Sequence, residues 1–445
     1  MSKDQNDTKI IKASPTKDLF ITMLVRDLTL RDAIGDLVDN CVDGAKELRP
    51  EKDYSGLKII IEAYDDRFII SDNCGGIESN VARNYAFRFG RPKDKPKSPG
   101  SVGQFGIGMK RSLFKLGKFF NISTKALTSN FEMEVNVDYW QANEDSWDFE
   151  FKELMEDINN NVEDTYTKIN VTNLNNDVID NFNDPIFIRK LIKEIELEHL
   201  YNIANGLKIV INNITLKSRK LELIESDSFK TAFYEESFED GMSVKLYAGI
   251  GEDKLEDGGW YLFCNDRLVV GPEQTPLTGW TGRVGDGGPV YHGQFQRFRG
   301  YAFFNADDSS ILPWNTTKNG MDRDSPRYKY VRQKMIGIFK PVISFLNQMK
   351  KEREGKSTQD ERPLEAFVNN AVVTSISEYK QSSLNEKFIS PPPPPVLNKR
   401  ADEGKISYLK PTNKIEKIKK ISGAKNLREV GELTFDYYYE MEIGE

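Results

Sequence analysis

Between Gly100 and Lys110 the chain reads GSVGQFGIGMK, with glycines at 100, 103, 106 and 108 directly ahead of an apolar helical stretch. A loop of this kind leaves a row of backbone N–H groups uncovered. The helix N-terminus that follows adds a partial positive charge, and the two together make a cradle for phosphate. The spacing is not the GxxxxGK[ST] of a P-loop. The order strand, helix, loop, helix around it is not the βαβ unit of a dinucleotide fold. A plain surface loop can share the composition, so the segment takes its meaning from what precedes it.

Two motifs precede it. AIGDLVDNCVDGAKE, residues 33–47, is an amphipathic helix. At 100° per residue Ile34, Leu37, Val38, Cys41, Val42 and Ala45 share one side, and Asp36, Asn40, Asp43 and Glu47 share the other. An aligned Asp, Asn and Asp suit a hydrated Mg²⁺ and a polarised water, because Mg²⁺ takes oxygen ligands and keeps several waters. The wet face of any surface helix reads the same way. Next, Ser71-Asp72-Asn73-Cys74-Gly75-Gly76-Ile77 closes an apolar strand. A carboxylate there can accept a hydrogen bond from an exocyclic amine such as N6 of adenine, and the glycines let backbone approach a flat ring. Asp-Asn-x-Gly is also ordinary turn chemistry. The joint order of metal and water, base recognition, then phosphate binding raises these motifs above their separate readings.

The remaining pattern frames them. A chain of 445 residues is too long for one ordinary core and implies two or three domains. Residues 17–47 read as two helices joined near Asp27, with Thr29 and Asp32 as a capping box. A hairpin follows over 57–72, then a helix near Glu78 to Phe87 and another from about Gly106 to Leu116. Strands are predicted at KFFNIST, FEMEVNV, TKINVTNL and LKIVINN, and a long helix over 184–203. This is an α+β pattern: a two-layer α/β sandwich with a mixed, largely antiparallel sheet. A strand-rich domain is predicted over 216–350, ending in a helix from about Pro326. Residues 351–396 read as a charged and polyproline linker, and 397–445 as a small basic segment whose FDYYYEMEI is left open between strand and helix. Three scattered cysteines, no apolar run of membrane length and a polar N-terminus fit a reducing cytoplasm and no membrane. Net charge is −7, yet Lys399 to Arg428 holds ten Lys/Arg against three Asp/Glu. A basic block on an acidic body can bind polyanions, and a solvated helix has the same composition.

The motif set resembles the GHKL superfamily, which includes Hsp90, MutL, type II topoisomerases, sensor histidine kinases and MORC ATPases. AIGDLVDNCVDGA is similar to its N-box, DNCGGI to its DxGxG motif and VGQFGIGMK to its lid motif. The resemblance implies an ATP-binding domain over 1–215 and a transducer over 216–350, with ATP and Mg²⁺ as cofactors. It makes Asp36 the general base, in the place of the usual Glu, and Asn40 the metal ligand with Asp43 in support. Asp72 would read adenine, with Gly76 and Ile77 beside it and Thr167 supporting Asp72 through water. The phosphates would lie along Gly103, Gln104, Phe105, Gly106, Ile107, Gly108, Met109 and Lys110. LPWNTTKNGMD resembles the MORC segment whose Lys reaches the γ-phosphate, which nominates Lys318, and GWYLFCNDRLVV resembles a transducer strand pair with an Asn-x-Arg turn. Asp is one methylene short of Glu, which implies a less well held water and slow hydrolysis; if the short base limits the rate, Asp36→Glu is expected to match or exceed the original turnover. Cys74 stands where the first glycine of DxGxG belongs, which is tolerable only at negative φ. Lys318 is expected to reach the nucleotide by rotation of the second domain.

By this reading the chain is a nucleotide-dependent homodimer, an ATP-gated clamp acting on DNA or a nucleoprotein. An Hsp90-like chaperone acting on protein clients is the alternative, disfavoured by the missing client-binding domains. A sensor kinase would need a phospho-accepting His beside a membrane sensor, and neither His199 nor His292 has that setting.

Overall fold

The computed structural model describes residues 16–90, 100–102, 108–144, 146–217, 220–227, 229–283, 285–315, 317–355, 363–376, 379, 386–391 and 406–443. The chain divides into two compact units, residues 1–393 and 394–445.

The first unit opens with α1 (Lys17–Arg26) and α2 (Leu30–Leu48). The break between them is set by Thr29. Its hydroxyl oxygen accepts the Asp32 N–H at 3.1 Å, and its O–H donates to Asp32 Oδ2 at 2.7 Å. β1 (Lys58–Ala63) and β2 (Phe68–Asp72) form the expected hairpin. The stretch read as one helix from Glu78 is instead a single turn, α3 (Ser79–Val81), running into a π turn over Ala82–Ala86. There follow α4 (Gly108–Leu116), β3 (Gly117–Lys125), β4 (Asn130–Asn136), α5 (Val137–Ala142), β5 (Phe151–Met155) and β6 (Tyr166–Leu174). β5 escaped the sequence reading because it lies at the sheet edge and shows no alternation of burial. α6 (Asn176–Phe182), α7 (Pro185–Glu198), α8 (Leu200–Ala204), β7 (Lys208–Ile211) and β8 (Ile214–Thr215) complete this half. The long helix expected over 184–203 breaks at His199, which ends α7 and starts α8.

These strands make one sheet in the order β5-β4-β3-β6-β2-β1-β7-β8, antiparallel throughout except for β1 with β7. Ile34, Val38 and Val42 of α2 pack with Ile59, Ile61, Phe68 and Ile70 of the hairpin and Leu113 of α4 in one core. Burial alternates along β1, as it must where one face of an antiparallel sheet is covered.

The second half comprises β9 (Glu222–Glu225), β10 (Ala232–Ser237), β11 (Ser243–Ile250), β12 (Gly259–Cys264), β13 (Arg267–Glu273) and β14 (Phe298–Asn305), followed by α9 (Pro326–Gly355), α10 (Pro363–Asn369) and β15 (Val372–Ser375). Its five main strands run β10-β11-β14-β12-β13. Every residue of β12 is buried, because both faces are covered. Val331, Met335, Phe339 and Val342 of α9 pack on Val244, Leu246, Trp260 and Phe298. On the other face Leu200 of α8 joins Leu223, Phe263, Tyr301, Phe303 and Ile376, with Phe263 and Phe303 stacked at 4.6 Å. The first half therefore shares a core with the second.

Among its described residues, the stretch expected over 351–396 to be a linker is docked on the second half. β15 pairs with β9, Ile389 bridges to Lys230, and Phe388 packs on Phe229 and Phe345. The charged composition of this stretch hid the few apolar residues, Leu364, Val368, Ile376 and Phe388, that dock it.

The second unit is a helical hairpin, α11 (Thr412–Ser422) and α12 (Leu427–Glu442). FDYYYEMEI lies in α12. Helix is favoured because the Asn426 side chain accepts the Glu429 N–H at 2.9 Å and Arg428 pairs with Glu432 one turn on. Among the described residues no helix is long and apolar enough to cross a membrane.

Candidate active site

The turn after β2, expected to recognise the base, is fixed by backbone contact. A Cβ on Gly44 of α2 would stand 2.6 Å from the Cys74 carbonyl oxygen, and one on Gly76 would stand 2.2 Å from that of Lys125. Gly76 also has φ +73°, so both glycines are needed to seat the turn after β2 against its neighbours. Cys74 is not among the left-handed residues, and the turn accepts a side chain there without strain.

Asp72 is buried at this turn. Its Oδ1 accepts the Cys74 N–H at 2.8 Å, and the Cys41 and Cys74 thiols also reach the carboxylate. Burial pushes its pKa up to about 6, against those hydrogen bonds, and among the described residues it makes no ion pair. A buried carboxylate with no cation is matched to a neutral N–H donor such as an adenine amine. The β2–β6 register places Thr167 directly opposite Asp72, hence on the same face of the sheet. Thr124 Oγ1 lies 3.5 Å from Thr167 Oγ1 and accepts the Ile77 N–H at 2.8 Å.

Asn40 is exposed on α2, and Asp43 Oδ1 accepts the Val102 N–H at 2.7 Å. Among the described residues no three His, Cys, Asp or Glu side chains cluster in a way that could hold a metal. A Mg²⁺ on this face would therefore take Asn40 together with phosphate oxygens and water, the mixed set that this ion accepts.

The face of α2 expected to be wet is in part closed. Asp36 and its neighbour Asp39 are both buried. Arg111 of α4 donates from Nε at 3.0 Å and from an η nitrogen at 2.6 Å to Asp36 Oδ2. Lys318 Nζ donates to Asp36 Oδ1 at 3.1 Å and to Asp39 Oδ2 at 2.7 Å. Arg267 Nε donates to Asp39 Oδ1 at 2.8 Å, and the same guanidinium meets Glu198 at 3.0 Å and the Lys318 carbonyl oxygen at 2.8 Å. Three cations thus alternate with three carboxylates from α4 to α7 by way of the second domain.

Charge sets the protonation of the chain. Burial works against the Lys318 ammonium, but Asp39 and Asp36 more than offset it and hold its pKa above the ordinary value. Burial likewise opposes ionised Asp39, and Arg267 and Lys318 overcome it, so this carboxyl stays well below the usual range. Burial pushes Glu198 up to about 7 despite Arg267. His199, 3.6 Å from Asp39, is pushed down to about 3 by burial and stands neutral.

The second domain reaches this network through two loops. Asn265 and Asp266 at the tip of the β12–β13 hairpin have φ of 47° and 65°, the paired left-handed conformation of a tight hairpin turn. The tip is tied down by Asn265, which donates to the carbonyls of Ser101 and Ala306, and by Lys46, which donates to the Asn265 carbonyl. Arg267 follows at once. Lys318, at φ +58°, projects from the second loop. The rotation expected to bring Lys318 to the first domain is not needed for contact, because its ammonium already rests on α2.

At the phosphate end, Gly103, Gln104, Phe105, Gly106 and Ile107 lie outside the described residues. Gly108 begins α4, and a Cβ there would stand 3.3 Å from Asp36 Oδ2. Met109 is partly buried against the core. Lys110, expected at the phosphates, instead buries its ammonium on the carbonyls of Ala86 and Arg88, at 2.8 and 2.7 Å. The end of the π turn leaves those carbonyls without helical partners.

Sequence reasoning passed over Asp39, Arg111 and Glu198, and weighed His199 only as a phospho-acceptor. Asp39 and Arg111 look like ordinary polar positions on amphipathic helices, and their partners lie far along the chain.

Residues 28–167 match the family model described as histidine kinase-, DNA gyrase B-, and HSP90-like ATPase. Residues 28–167 thus carry a GHKL-type ATPase domain, a kind of domain that binds and hydrolyses ATP. The match covers the layer from α2 to the start of β6, and no curated protein matches the chain.

Proposed function

We propose that the chain is an ATP-gated clamp of the MORC or MutL kind, dimerising when ATP is bound and acting on DNA or a nucleoprotein. The observation that carries this reading is the placement of Lys318, a second-domain residue, on two carboxylates of the nucleotide-domain helix α2. In this scheme Asp72 reads adenine, Asn40 holds Mg²⁺, and Asp36 takes the proton of the attacking water. The metal, when bound, neutralises phosphate charge. Lys318 exchanges a carboxylate for the γ-phosphate, and Arg267, bonded both to Asp39 and to the Lys318 backbone, carries the change into the second domain. ATP but not ADP offers Lys318 that third phosphate, the differential affinity that a nucleotide switch requires. A polyanionic client is favoured over a protein client by α11, where Lys414, Lys417 and Lys420 are exposed.

Sedimentation of the full chain tests the proposal in nucleotide-free, Mg·ADP and Mg·ATP-analogue states, followed by added duplex DNA or an unfolded protein. A tighter dimer with the analogue alone is expected. Lys318→Ala, checked by thermal melting for its fold, should keep ATP affinity within a few-fold and lose hydrolysis. The same oligomer in all three states would reject the clamp, and capture of the unfolded protein without DNA binding would favour the chaperone alternative.

A further inference from the structure

Asp36 is short, buried and gripped from two sides, and the two grips differ. Among the described residues, the hydrogen bonds to Oδ2 come from Arg111, through Nε at 3.0 Å and an η nitrogen at 2.6 Å. Gly108 lies on the same side, where a Cβ would make a tight contact of 3.3 Å with Oδ2. The contact to Oδ1 comes from Lys318 at 3.1 Å, and that ammonium is held more closely by Asp39, at 2.7 Å. When Lys318 moves, Oδ1 is therefore the oxygen that becomes free, while Oδ2 stays committed.

We infer that Arg111 is a positioning residue for hydrolysis, which fixes Asp36 by Oδ2 so that Oδ1 alone faces the attacking water. The inference rests on the reading of Asp36 as general base. In the step itself, a water O–H bond breaks and its proton passes to Oδ1. The water oxygen bonds to the γ-phosphorus as the bond from that phosphorus to the bridging oxygen breaks, and ADP leaves with phosphate as the second product. Arg111 gains and loses nothing. Its contribution is geometric, since a base displaced by about an ångström forfeits about a hundredfold in rate. Arg111 lies in the first turn of α4, directly after the glycine-rich loop. The helix that would present N–H groups to the phosphates thus also aims the base.

The test uses the full chain and compares Arg111→Ala, Arg111→Gln and Arg111→Lys with Asp36→Ala and the Asp36→Ala/Arg111→Ala pair. Turnover of Mg·ATP gives kcat and KM, and calorimetry gives the affinity for a non-hydrolysable analogue. Arg111→Ala should lower kcat by about ten- to a hundredfold with analogue affinity held within a few-fold. Arg111→Lys should recover part of the rate, since one N–H···O contact and the charge remain. In the Asp36→Ala background, Arg111→Ala should cost nothing further, because there is no carboxylate left to aim. If Arg111→Ala fails to fold, Arg111→Gln, which keeps an N–H donor, carries the same expectations. Wild-type kcat in the Arg111 variants, or a double variant that loses the product of the two single effects, would overturn the inference. Wild-type turnover in Asp36→Ala would instead reject the base assignment, and the role of Arg111 with it, in that arm alone.

Discussion

Asp72→Asn should make the nucleotide-free protein more stable near neutral pH while removing its affinity for ATP. Burial holds the Asp72 carboxyl at about 6 in the folded chain, against an ordinary value of 3.8. Between those two values the native state keeps a proton that the unfolded state has released. Stability contributed by this group is complete below about pH 4 and is lost as pH rises through 6, because the native state binds more protons than the unfolded one. A shift of about two units corresponds to about 3 kcal/mol. The amide that replaces the carboxyl does not titrate. The stability difference between variant and wild type should therefore move by about 3 kcal/mol in favour of the variant between pH 4 and pH 7. Urea denaturation of both proteins at several pH values in that range measures it. Parallel stability curves would refute the argument, and with it the claim that Asp72 is an uncompensated buried carboxylate. A linked effect follows on binding. An adenine amine favours the ionised carboxylate, so ATP binding near pH 6 should release protons, as calorimetry in buffers of different ionisation enthalpy would register.

Asn40→Ala should leave the fold intact, because the side chain is exposed and such changes usually stay within about 0.5 kcal/mol, yet it should abolish Mg·ATP binding in calorimetry. Undiminished Mg·ATP affinity would remove Asn40 from the metal site. Asp36→Glu was expected from the sequence to match or exceed the original turnover, and the packing reverses that expectation. One more methylene drives the carboxylate toward Gly108 and Arg111, where a Cβ on Gly108 would already lie 3.3 Å from Oδ2. Turnover of Asp36→Glu should fall by about tenfold or more, and a rate at or above wild type would show that the seat is wider than described.

The order of three motifs, the capping of α2 at Thr29 and the hairpin ending at Asp72 were legible because each rests on residues near one another in sequence. Capping, turn chemistry and helical periodicity act over a few residues and leave a local signature. The glycine at 76 was legible as special, but its reason was not. It admits the carbonyl of Lys125, a contact between segments far apart in the chain. Lys110 was misplaced for a related reason. Its position in GIGMK suggests phosphate, while the π turn that claims its ammonium has no distinctive sequence.

Short-range pattern was enough to make α2 amphipathic, to end β2 on a carboxylate and to set glycines ahead of α4. The burial of Asp36 and Asp39, in place of a wet face, came from long-range packing alone. Lys318 lies 279 residues from Asp39 and Arg267 lies 228, and no local pattern can pair charges across such separations. A buried carboxylate is costly unless a cation meets it, so the second domain, by delivering Arg267 and Lys318 to one helix face, turns two ordinary-looking aspartates into the centre of a buried charge network.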